Sequence, residues 1–466
     1  MAKSMLSKSM LSRVSITRDD LMSKIAQGEI DTIIMGFPDR YGRLTGKRTA
    51  ASFFVEHVAD HGTENCDYLL TCDLDYQPQT GFRFSSFDKG YGDMVAVADW
   101  STVRVLPWVP KTALVVCDLR TPDGHPVDVA PRTILARQEE AARALGFAPM
   151  VGSEIEFFMF HESYEEAHSR GYQQLRPHSA FAEDYNILAT TRDEEVIGRI
   201  RRALIEAGCP VEFSKGEAGA GQHEINIGYA SPLEMADRNL VYKTAAKEIA
   251  AAAGKSITFM AKPGFHDVGS SCHLHVSLWS LDGKTPVFPD EAGQWGMSDT
   301  FRHFLAGQIA TAREFALLWA PTVNSYKRFQ PESWAPTGVG WGVDNRTLGF
   351  RKVGHGASTR VESRIPGADA ISYLAFAGAI AGGLYGIRHR LELAAPFEGN
   401  GYTAPDVGRI PWNLPDAIEL WKTSDIAREC FGDDVHHWIL RCAESEWEAF
   451  NRTVTDWELR RYFERI

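Results

Sequence analysis

The spacing of hydrophobic and polar positions changes once along the chain, near Pro131, and divides it into two regions. In the first region, short runs of alternating apolar and polar residues predict four strands: Thr32–Phe37, Arg43–Thr49, Met94–Val97 and Ala113–Cys117. One helix, capped by Thr17 and ended by Gly28, precedes them, and helix is otherwise scarce in this region. We therefore expect a flexible tail at residues 1–15 and a small, sheet-rich domain at residues 16–125.

Beyond Pro131, longer helical repeats are interleaved with strands. Helices are predicted at Pro131–Leu145, from a Thr191–Glu194 capping box to Gly208, at Leu233–Ala253, and from Asp369 onward. Strands are predicted at Met150–Phe160, Val211–Phe213, Thr258–Ala261, His273–Leu278 and Arg360–Arg364. The uncharged stretch Ala370–Ile387 is rich in Gly and Ala, which favours a buried helix over a membrane span. This mixture predicts an α+β domain over residues 126–466.

Composition narrows the class of protein. The chain has 466 residues, more than one hydrophobic core usually organises, so two domains are expected. Its 61 acidic residues exceed its 49 basic ones, and the net charge of −12 argues against nucleic acid as a partner. Seven cysteines without a Cys-x-x-Cys pair argue against a disulfide framework or a zinc ribbon, and they are typical of the reducing cytoplasm.

Two acidic pairs are candidates for metal binding. Glu154 and Glu156 are two residues apart in a predicted strand, so both carboxylates project from one face, roughly 7 Å apart. Glu217 and Glu224 bracket a glycine-rich loop that lacks the pattern of a Walker or Rossmann phosphate loop. A solvated strand face and a surface turn are the alternatives that these two patterns leave open.

Histidine and arginine add to these acids. His273, His275 and Ser277 share one face of a predicted strand, which indicates either structural histidines or contacts to a metal or phosphate. Five arginines lie around one acid, Glu362, in the sequence: Arg328, Arg346, Arg351, Arg360 and Arg364. They form either a surface salt-bridge lattice or a cluster that binds phosphate and carboxylate oxygens.

Taken together, five glutamates and one histidine offer ligands for two divalent cations. Hard oxygen ligands favour Mg²⁺ or Mn²⁺ over zinc. Arginines beside two such cations suggest phosphoryl transfer, where positioning and charge neutralisation supply most of the catalysis. The residue chemistry by itself therefore predicts a metal-dependent enzyme that uses ATP.

Seven segments, in this order and spacing, resemble the glutamine synthetase family: Gly152–Phe157, Gly219–Ile227, Lys262–Ser277, Asn324–Arg328, Asn345–Arg346, Arg360–Pro366 and Tyr373–Ala377. The resemblance covers nearly the whole chain. It implies an N-terminal β-grasp domain at residues 16–125 and a catalytic domain with an antiparallel sheet and helices at residues 126–466. It also implies a cytoplasmic homododecamer of two hexameric rings, with active sites at subunit interfaces and no membrane contact.

The resemblance also implies a role for each matching residue. A first metal would be bound by Glu156, Glu217 and Glu224, and a second, near the phosphates of ATP, by Glu154, His273 and Glu362, with two or three Mg²⁺ (or Mn²⁺) ions in all. Glutamate would be bound by Arg328, Arg364 and Gly269, the transferred phosphoryl group by Arg346 and Arg351, and the nucleotide by Tyr229, His275, Ser277 and Arg360. The implied reaction phosphorylates the γ-carboxylate of L-glutamate, and an amine then displaces the phosphate.

Departures from the family pattern concern the amine. Ammonia-using members carry a Glu six residues past the arginine that matches Arg328, and Trp334 stands there in this chain, with Glu332 two residues earlier. Ammonia-using members also carry an Asp in the N-terminal domain. An ungapped alignment places Gln79 at that position in this chain, and Asp88 is an unconvincing substitute for the missing acid. A tryptophan offers a flat apolar wall and a cation–π face, which suits an alkylammonium ion. The sequence therefore predicts the γ-glutamylamine ligase branch, with ethanolamine or a polyamine as the acceptor and Trp334 in the active site.

Two other functions stay open at this point. One is ordinary glutamine synthesis from ammonia, with Glu332 moved into place by a shifted loop. The other is a non-catalytic relative, a regulatory or structural ring. Turnover of ATP with glutamate and any amine separates the second from the enzymes.

Overall fold

Two β-sheets organise the part of the chain that the computed structural model describes, residues 16–404 and 407–466. The smaller sheet has six strands: β1 (Thr32–Pro38), β2 (Leu44–Ala50), β3 (Thr63–Cys66), β4 (Asp93–Ala98), β5 (Arg104–Val105) and β6 (Thr112–Arg120). Their spatial order is β2–β1–β6–β4–β3, with β5 also paired to β6. β1 and β6 run parallel, and the other pairs are antiparallel. The four predicted strands are confirmed, whereas the predicted tail lies outside the described residues.

Helix α1 (Arg18–Ala26) precedes this sheet and is capped as predicted. Thr17 Oγ1 accepts a hydrogen bond from the Asp20 amide at 3.1 Å, and the Asp20 carboxylate accepts one from the Thr17 amide at 3.0 Å. The sequence did not predict the short helix α2 (Ala51–Phe53), which continues as a π-helical turn over Phe54–Val58. Both ends of that turn are buried, so tertiary packing stabilises a helix that local propensity alone does not indicate.

The larger sheet carries the predicted site residues. Its eight strands are β7 (Phe147–Phe160), β8 (Val211–Gly216), β9 (Gln222–Ile227), β10 (Ser256–Thr258), β11 (Cys272–Ser280), β12 (Trp341–Val343), β13 (Phe350–Val353) and β14 (Arg360–Ser363). Their order is β12–β13–β14–β11–β7–β9–β8, with β10 paired to β7. β12 and β13 run parallel, and the other pairs are antiparallel, as predicted.

Helices accompany this sheet and confirm the α+β class. They are α3 (Pro131–Ala144), α4 (Tyr164–Ser169), α5 (Ile187–Thr190), α6 (Glu194–Glu206), α7 (Pro232–Ala252), α8 (Asp299–Thr311), α9 (Ala316–Trp319), α10 (Ser372–His389), α11 (Leu414–Lys422), α12 (Asp425–Phe431), α13 (Asp433–Asn451) and α14 (Asp456–Tyr462). α10 is the predicted buried helix. A Cβ on Gly307 of α8 would lie 2.2 Å from the carbonyl oxygen of Gly382 on α10, so glycine allows the two backbones to approach. Among the described residues, no helix combines the length and apolarity that a membrane crossing requires.

Two sequence predictions fail in the larger region. The Thr191–Glu194 capping box is wrong, because Thr191 Oγ1 donates to the Ile187 carbonyl at 2.7 Å within the turn that α5 begins. α6 does start at Glu194, but the Asp193 carboxylate that precedes it binds two histidines and makes no capping bond. The strand predicted at Thr258–Ala261 is also misplaced, since β10 ends at Thr258. The domain boundary near residue 125 falls between β6 and α3 and stays a prediction.

Candidate active site

Neighbouring strands of the larger sheet bring the predicted metal-binding residues together. The register places Glu154 of β7 directly opposite His273 of β11. On the other side of β7, Glu156 lies opposite Glu224 of β9. All six predicted metal ligands line one cavity of about 870 Å³: Glu154, Glu156, Glu217, Glu224, His273 and Glu362. Residues separated widely in sequence therefore share one face of the sheet.

Three of these side chains form a first cluster: Glu154, His273 and Glu362. Their candidate ligand atoms all lie within 4.8 Å of one another. His273 Nδ1 is 3.2 Å from Glu154 Oε2 and 3.7 Å from Glu362 Oε1. This grouping is the one that the resemblance implies for the metal near the phosphates.

A second cluster consists of Glu156, Glu224 and His273, again with ligand atoms within 4.8 Å of one another. Glu217 lines the same cavity, but its carboxylate forms an ion pair with Lys215. The sequence analysis missed Lys215, although its position two residues before Glu217 at the end of β8 is the signal that could have found it. A ligand role for Glu217 stays a prediction.

The protonation of the carboxylates differs between the clusters. Burial and the nearby Glu217 raise the pKa of Glu156 to about 7. Burial and the surrounding carboxylates raise the pKa of Glu224 well above its usual value. Burial also opposes ionisation of Glu362, but Arg364 and the histidines outweigh it and lower its pKa to about 2. A divalent cation beside Glu156 and Glu224 would reverse their shifts, because positive charge favours the ionised carboxylate.

The donor set fits divalent cations. Carboxylate oxygens are the hard ligands that Mg²⁺ and Mn²⁺ prefer. His273 adds an imidazole whose Nε2 is buried and has no hydrogen-bond partner among residues 16–404 and 407–466. Burial and the Arg364 charge lower the pKa of His273 to about 4, so the ring is neutral near pH 7, as metal ligation requires.

Two of the predicted arginines contact the first cluster. Arg364 donates to Glu362 Oε1 at 2.6 Å, and Arg351 donates to Glu362 Oε2 at 2.9 Å. Arg328 is fully buried and donates to the carbonyls of Ile365 at 2.7 Å and Arg364 at 3.0 Å. Burial lowers the pKa of Arg328 to about 10, and the guanidinium is still charged near pH 7. These side chains and Arg346 line the cavity, where they can bind carboxylate and phosphate oxygens.

Gly269 packs against Arg328 and shares a hydrogen-bond donor, Gln222, with Glu156. A Cβ at Gly269 would lie 2.5 Å from Arg328 Cγ, so only glycine leaves this guanidinium in place. Gln222 Nε2 donates to the Gly269 carbonyl at 3.0 Å and to Glu156 Oε2 at 3.1 Å. The Ser271 amide also donates to Glu156 Oε2, at 2.7 Å. The sequence analysis missed Gln222, which positions both a candidate metal ligand and the glycine loop.

An adjoining cavity of about 450 Å³ holds the residues predicted to bind the nucleotide: Tyr229, His275, Ser277 and Arg360. It shares Glu154 with the first cavity. Arg360 Nε donates to His275 Nδ1 at 3.1 Å, so the ring proton is on Nε2, which lies 2.9 Å from Glu154 Oε1. The Tyr229 ring is 44% exposed and is free to stack on a planar ligand.

Aromatic and apolar side chains also line the first cavity. They are Trp334, with 60% of its surface exposed, Tyr185 and Ile187. Among the described residues, neither Glu332 nor Asp88 lines this cavity. The part that either acid plays in an ammonium site stays a prediction.

Comparisons with known proteins identify the family. Residues 128–462 match the family described as glutamine synthetase, catalytic domain. The chain is 50% identical over 449 residues to a γ-glutamylethanolamide synthetase of Streptomyces coelicolor, with 96% of each chain covered. It is 36% identical over 445 residues to a glutamate–isopropylamine ligase of a Pseudomonas species, covering 95% of this chain and 97% of that one.

A solved structure described as a GmaS/ADP complex superposes with a TM-score of 0.83. The identity is 26%, and the superposition covers 95% of this chain and 99% of the other. The family match spans more than half of the chain, and it includes every predicted site residue. The chain therefore belongs to the glutamine synthetase family.

Proposed function

We propose that the chain is an ATP-dependent ligase that joins the γ-carboxylate of L-glutamate to a primary amine. One observation carries the choice of amine over ammonia: Trp334 lines the cavity beside the carboxylate clusters, whereas Glu332 does not. The names of the two curated relatives, a γ-glutamylethanolamide synthetase and a glutamate–isopropylamine ligase, support this choice.

The reaction proceeds in two steps. The γ-phosphoryl group of ATP moves to the γ-carboxylate of glutamate, the bond to ADP breaks, and γ-glutamyl phosphate forms. The bound alkylammonium loses one proton to become the free amine. The amine nitrogen then attacks the acyl carbon, inorganic phosphate leaves, and the nitrogen loses a second proton as the amide forms. Arg328 and Arg364 hold glutamate, and Arg346 and Arg351 neutralise charge on the transferred group.

We assign the carboxylate clusters to two or three Mg²⁺ or Mn²⁺ ions. Glu154, His273 and Glu362 would hold one ion, and Glu156, Glu217 and Glu224 another. When bound, these ions supply positive charge to the phosphates of ATP. His275, Ser277, Tyr229 and Arg360 would bind the nucleotide in the adjoining cavity.

The acceptor pocket fits a small alkylamine. The cavity lining includes Trp334, Tyr185 and Ile187. Such side chains pack against methylene groups, and the indole and phenol rings attract an ammonium head through cation–π contact. The 50% identity to an ethanolamide synthetase supports ethanolamine as the acceptor, ahead of a polyamine.

A panel of amines tests this proposal. Phosphate release with ATP, L-glutamate and Mg²⁺ is measured for ammonium, ethanolamine, isopropylamine, putrescine, cadaverine and spermidine. We expect kcat/KM to be highest for ethanolamine or another alkylamine, with the γ-glutamylamide found by mass spectrometry. L-Aspartate in place of glutamate is the control.

Ammonium as clearly the best acceptor would overturn the choice of amine and identify a glutamine synthetase. Absence of turnover with every amine would instead identify a non-catalytic relative.

We also propose a homo-oligomer, with the dodecamer of two hexameric rings as the expected form. Phe181, Ile187 and Leu188 expose more than 70% of their surface near the cavity, which supports a neighbouring subunit covering them. Light scattering of the purified protein tests this, and a monomer at micromolar concentration would contradict it.

All seven cysteines are free, which supports a reducing compartment such as the cytoplasm.

A further inference from the structure

A second group of ionisable side chains lies outside the active-site cavity: His178, Glu183, Asp193 and His223. We call these four residues the rear cluster. Glu183, Asp193 and His223 have only 1%, 2% and 1% of their surface exposed, and their candidate ligand atoms lie within 4.8 Å of one another. Because side chains alternate along a strand, His223 points to the face of β9 opposite that of Glu224. The function proposed above uses none of the four.

Asp193 is the centre of the rear cluster. Its Oδ1 lies 2.5 Å from His178 Nδ1, and its Oδ2 lies 2.7 Å from His223 Nε2. Burial opposes ionisation of Asp193, but the two imidazoles outweigh it and hold the pKa of this carboxyl well below its usual value. One anionic carboxylate thus joins two imidazole rings from separate parts of the chain.

Glu183 is the part of the rear cluster that these bonds leave unsatisfied. Its Oε2 is 3.8 Å from His223 Nε2, and it has no hydrogen-bond partner within residues 16–404 and 407–466. An unpaired carboxylate oxygen in a buried position costs about 1–3 kcal/mol or more. The cost disappears if a positive charge lies between Glu183 and Asp193.

The donor set indicates which cation. Glu183, Asp193 and His223 supply three grouped ligands. His178, whose Nδ1 lies 2.5 Å from Asp193 Oδ1, would supply the fourth ligand of the mixed imidazole and carboxylate set that Zn²⁺ and similar transition metals prefer. The active-site clusters have one histidine among glutamates and suit harder ions. A cavity of about 590 Å³, lined by His178, Glu183 and Asp193, reaches the cluster and provides an entry path.

We propose that the rear cluster is a structural zinc-type metal site that fastens the segment 178–193 to β9. That segment includes Asp184 and Tyr185, which line the active-site cavity. The ion would therefore fix one wall of the acceptor pocket without touching the substrates. The metal site itself does not depend on the proposed ligase activity.

Metal content and cobalt spectra test this site. Untagged protein is stripped with a chelator, loaded with Zn²⁺ or Co²⁺ in millimolar Mg²⁺, desalted and analysed for metal per subunit. We expect D193N to retain one equivalent less than the wild type and to lose the visible absorption of four-coordinate Co²⁺. The control E206Q, at the exposed end of α6, should keep both properties. A second control, E362Q, alters the active-site clusters and should keep the cobalt absorption.

Equal zinc content in D193N and the wild type would overturn the proposal, as would loss of the cobalt absorption in E362Q alone. If D193N fails to fold, E183Q gives the same test, because it leaves both Asp193–histidine contacts intact. We expect E183Q to be at least as stable as the wild type in chelator. It should lack the rise in Tm of about 3 °C or more that Zn²⁺ gives the wild type. An identical zinc-induced rise in E183Q would also refute the site.

Discussion

Glu156 of β7 and Glu224 of β9 are direct cross-strand partners, and both are buried. Two like charges in this relation destabilise a sheet unless something lies between them. The backbone amide of Ser271 and the side chain of Gln222 donate hydrogen bonds to Glu156, and they compensate only part of the negative charge. Burial and the neighbouring carboxylates raise the pKa of both groups, so this pair is stable only when a cation or a proton neutralises part of its charge.

Removing one of these charges should stabilise the metal-free protein and abolish its response to metal. In Glu224→Gln, we expect Tm in EDTA to equal or exceed that of the wild type, because glutamine removes the cost of burying a second carboxyl beside Glu156. The rise in Tm on adding Mg²⁺ should vanish, and activity should fall by about 100-fold. Differential scanning fluorimetry and phosphate release measure these effects. Glu206→Gln, at the exposed end of α6, is the control. A normal Mg²⁺ response in Glu224→Gln would show that Glu224 holds no ion.

The aromatic lining of the cavity should determine the choice of acceptor. In Trp334→Glu, a carboxylate replaces the exposed indole in the cavity and can hold ammonium directly. We expect kcat/KM to rise by about tenfold for ammonium and to fall by about tenfold for ethanolamine, each change being worth about 1.4 kcal/mol. Trp412→Glu is the matched control, since Trp412 is 54% exposed and does not line the cavity. Unchanged kinetics with both amines would mean that the loop around Trp334 adopts another register when substrates bind.

The glycine loop should control glutamate binding through Arg328. In Gly269→Ala, the new Cβ would lie 2.5 Å from Arg328 Cγ and 3.1 Å from the Ala261 carbonyl oxygen, so the arginine must move. We expect KM for glutamate to rise by about tenfold, while KM for ATP changes little. Steady-state kinetics with each substrate varied in turn provide the measurement. In the control, Gly92→Ala, the nearest atom is 3.8 Å from the new Cβ. Equal effects on both KM values would point to general unfolding of the site.

Local sequence pattern predicted the faces of single strands well. The spacing of Glu154 and Glu156, and of His273 and His275, placed each pair on one side of a strand, and the structure finds all four side chains around the active-site cavities. This succeeds because the alternation of a strand is a property of the backbone itself.

Strand pairing and register could not be predicted from the local sequence pattern. β7 lies between β9 and β11 in the sheet. Nothing in the sequence of β9, Gln222–Ile227, indicates that it pairs with β7. The family resemblance implied that Glu156 and Glu224 share a metal, but it did not give the strand pairing or the register. The failed capping box has a related cause, because Asp193 is held by His178 and His223, and this tertiary contact overrides the local signal at the start of α6.

The buried histidine of α13 should make stability depend on pH. His436 stacks on Trp421 with ring centroids 5.4 Å apart, and its Nε2 donates to the Trp421 carbonyl at 2.8 Å. Burial lowers the pKa of His436 below its unfolded value of 6.5. Below pH 6.5 the unfolded chain therefore binds more protons than the native one, so this histidine makes the free energy of unfolding decrease as pH falls.

We expect His436→Gln to flatten that decline. Glutamine still offers an N–H to the Trp421 carbonyl but takes up no proton, so its Tm should fall less than that of the wild type between pH 7.5 and pH 5.5. Thermal unfolding followed by circular dichroism at several pH values measures the two slopes. His389→Gln serves as the control, because His389 has 45% of its side chain exposed. A slope in His436→Gln as steep as in the wild type would assign the acid sensitivity to other groups. Among these is the neighbouring His437, whose pKa burial also lowers.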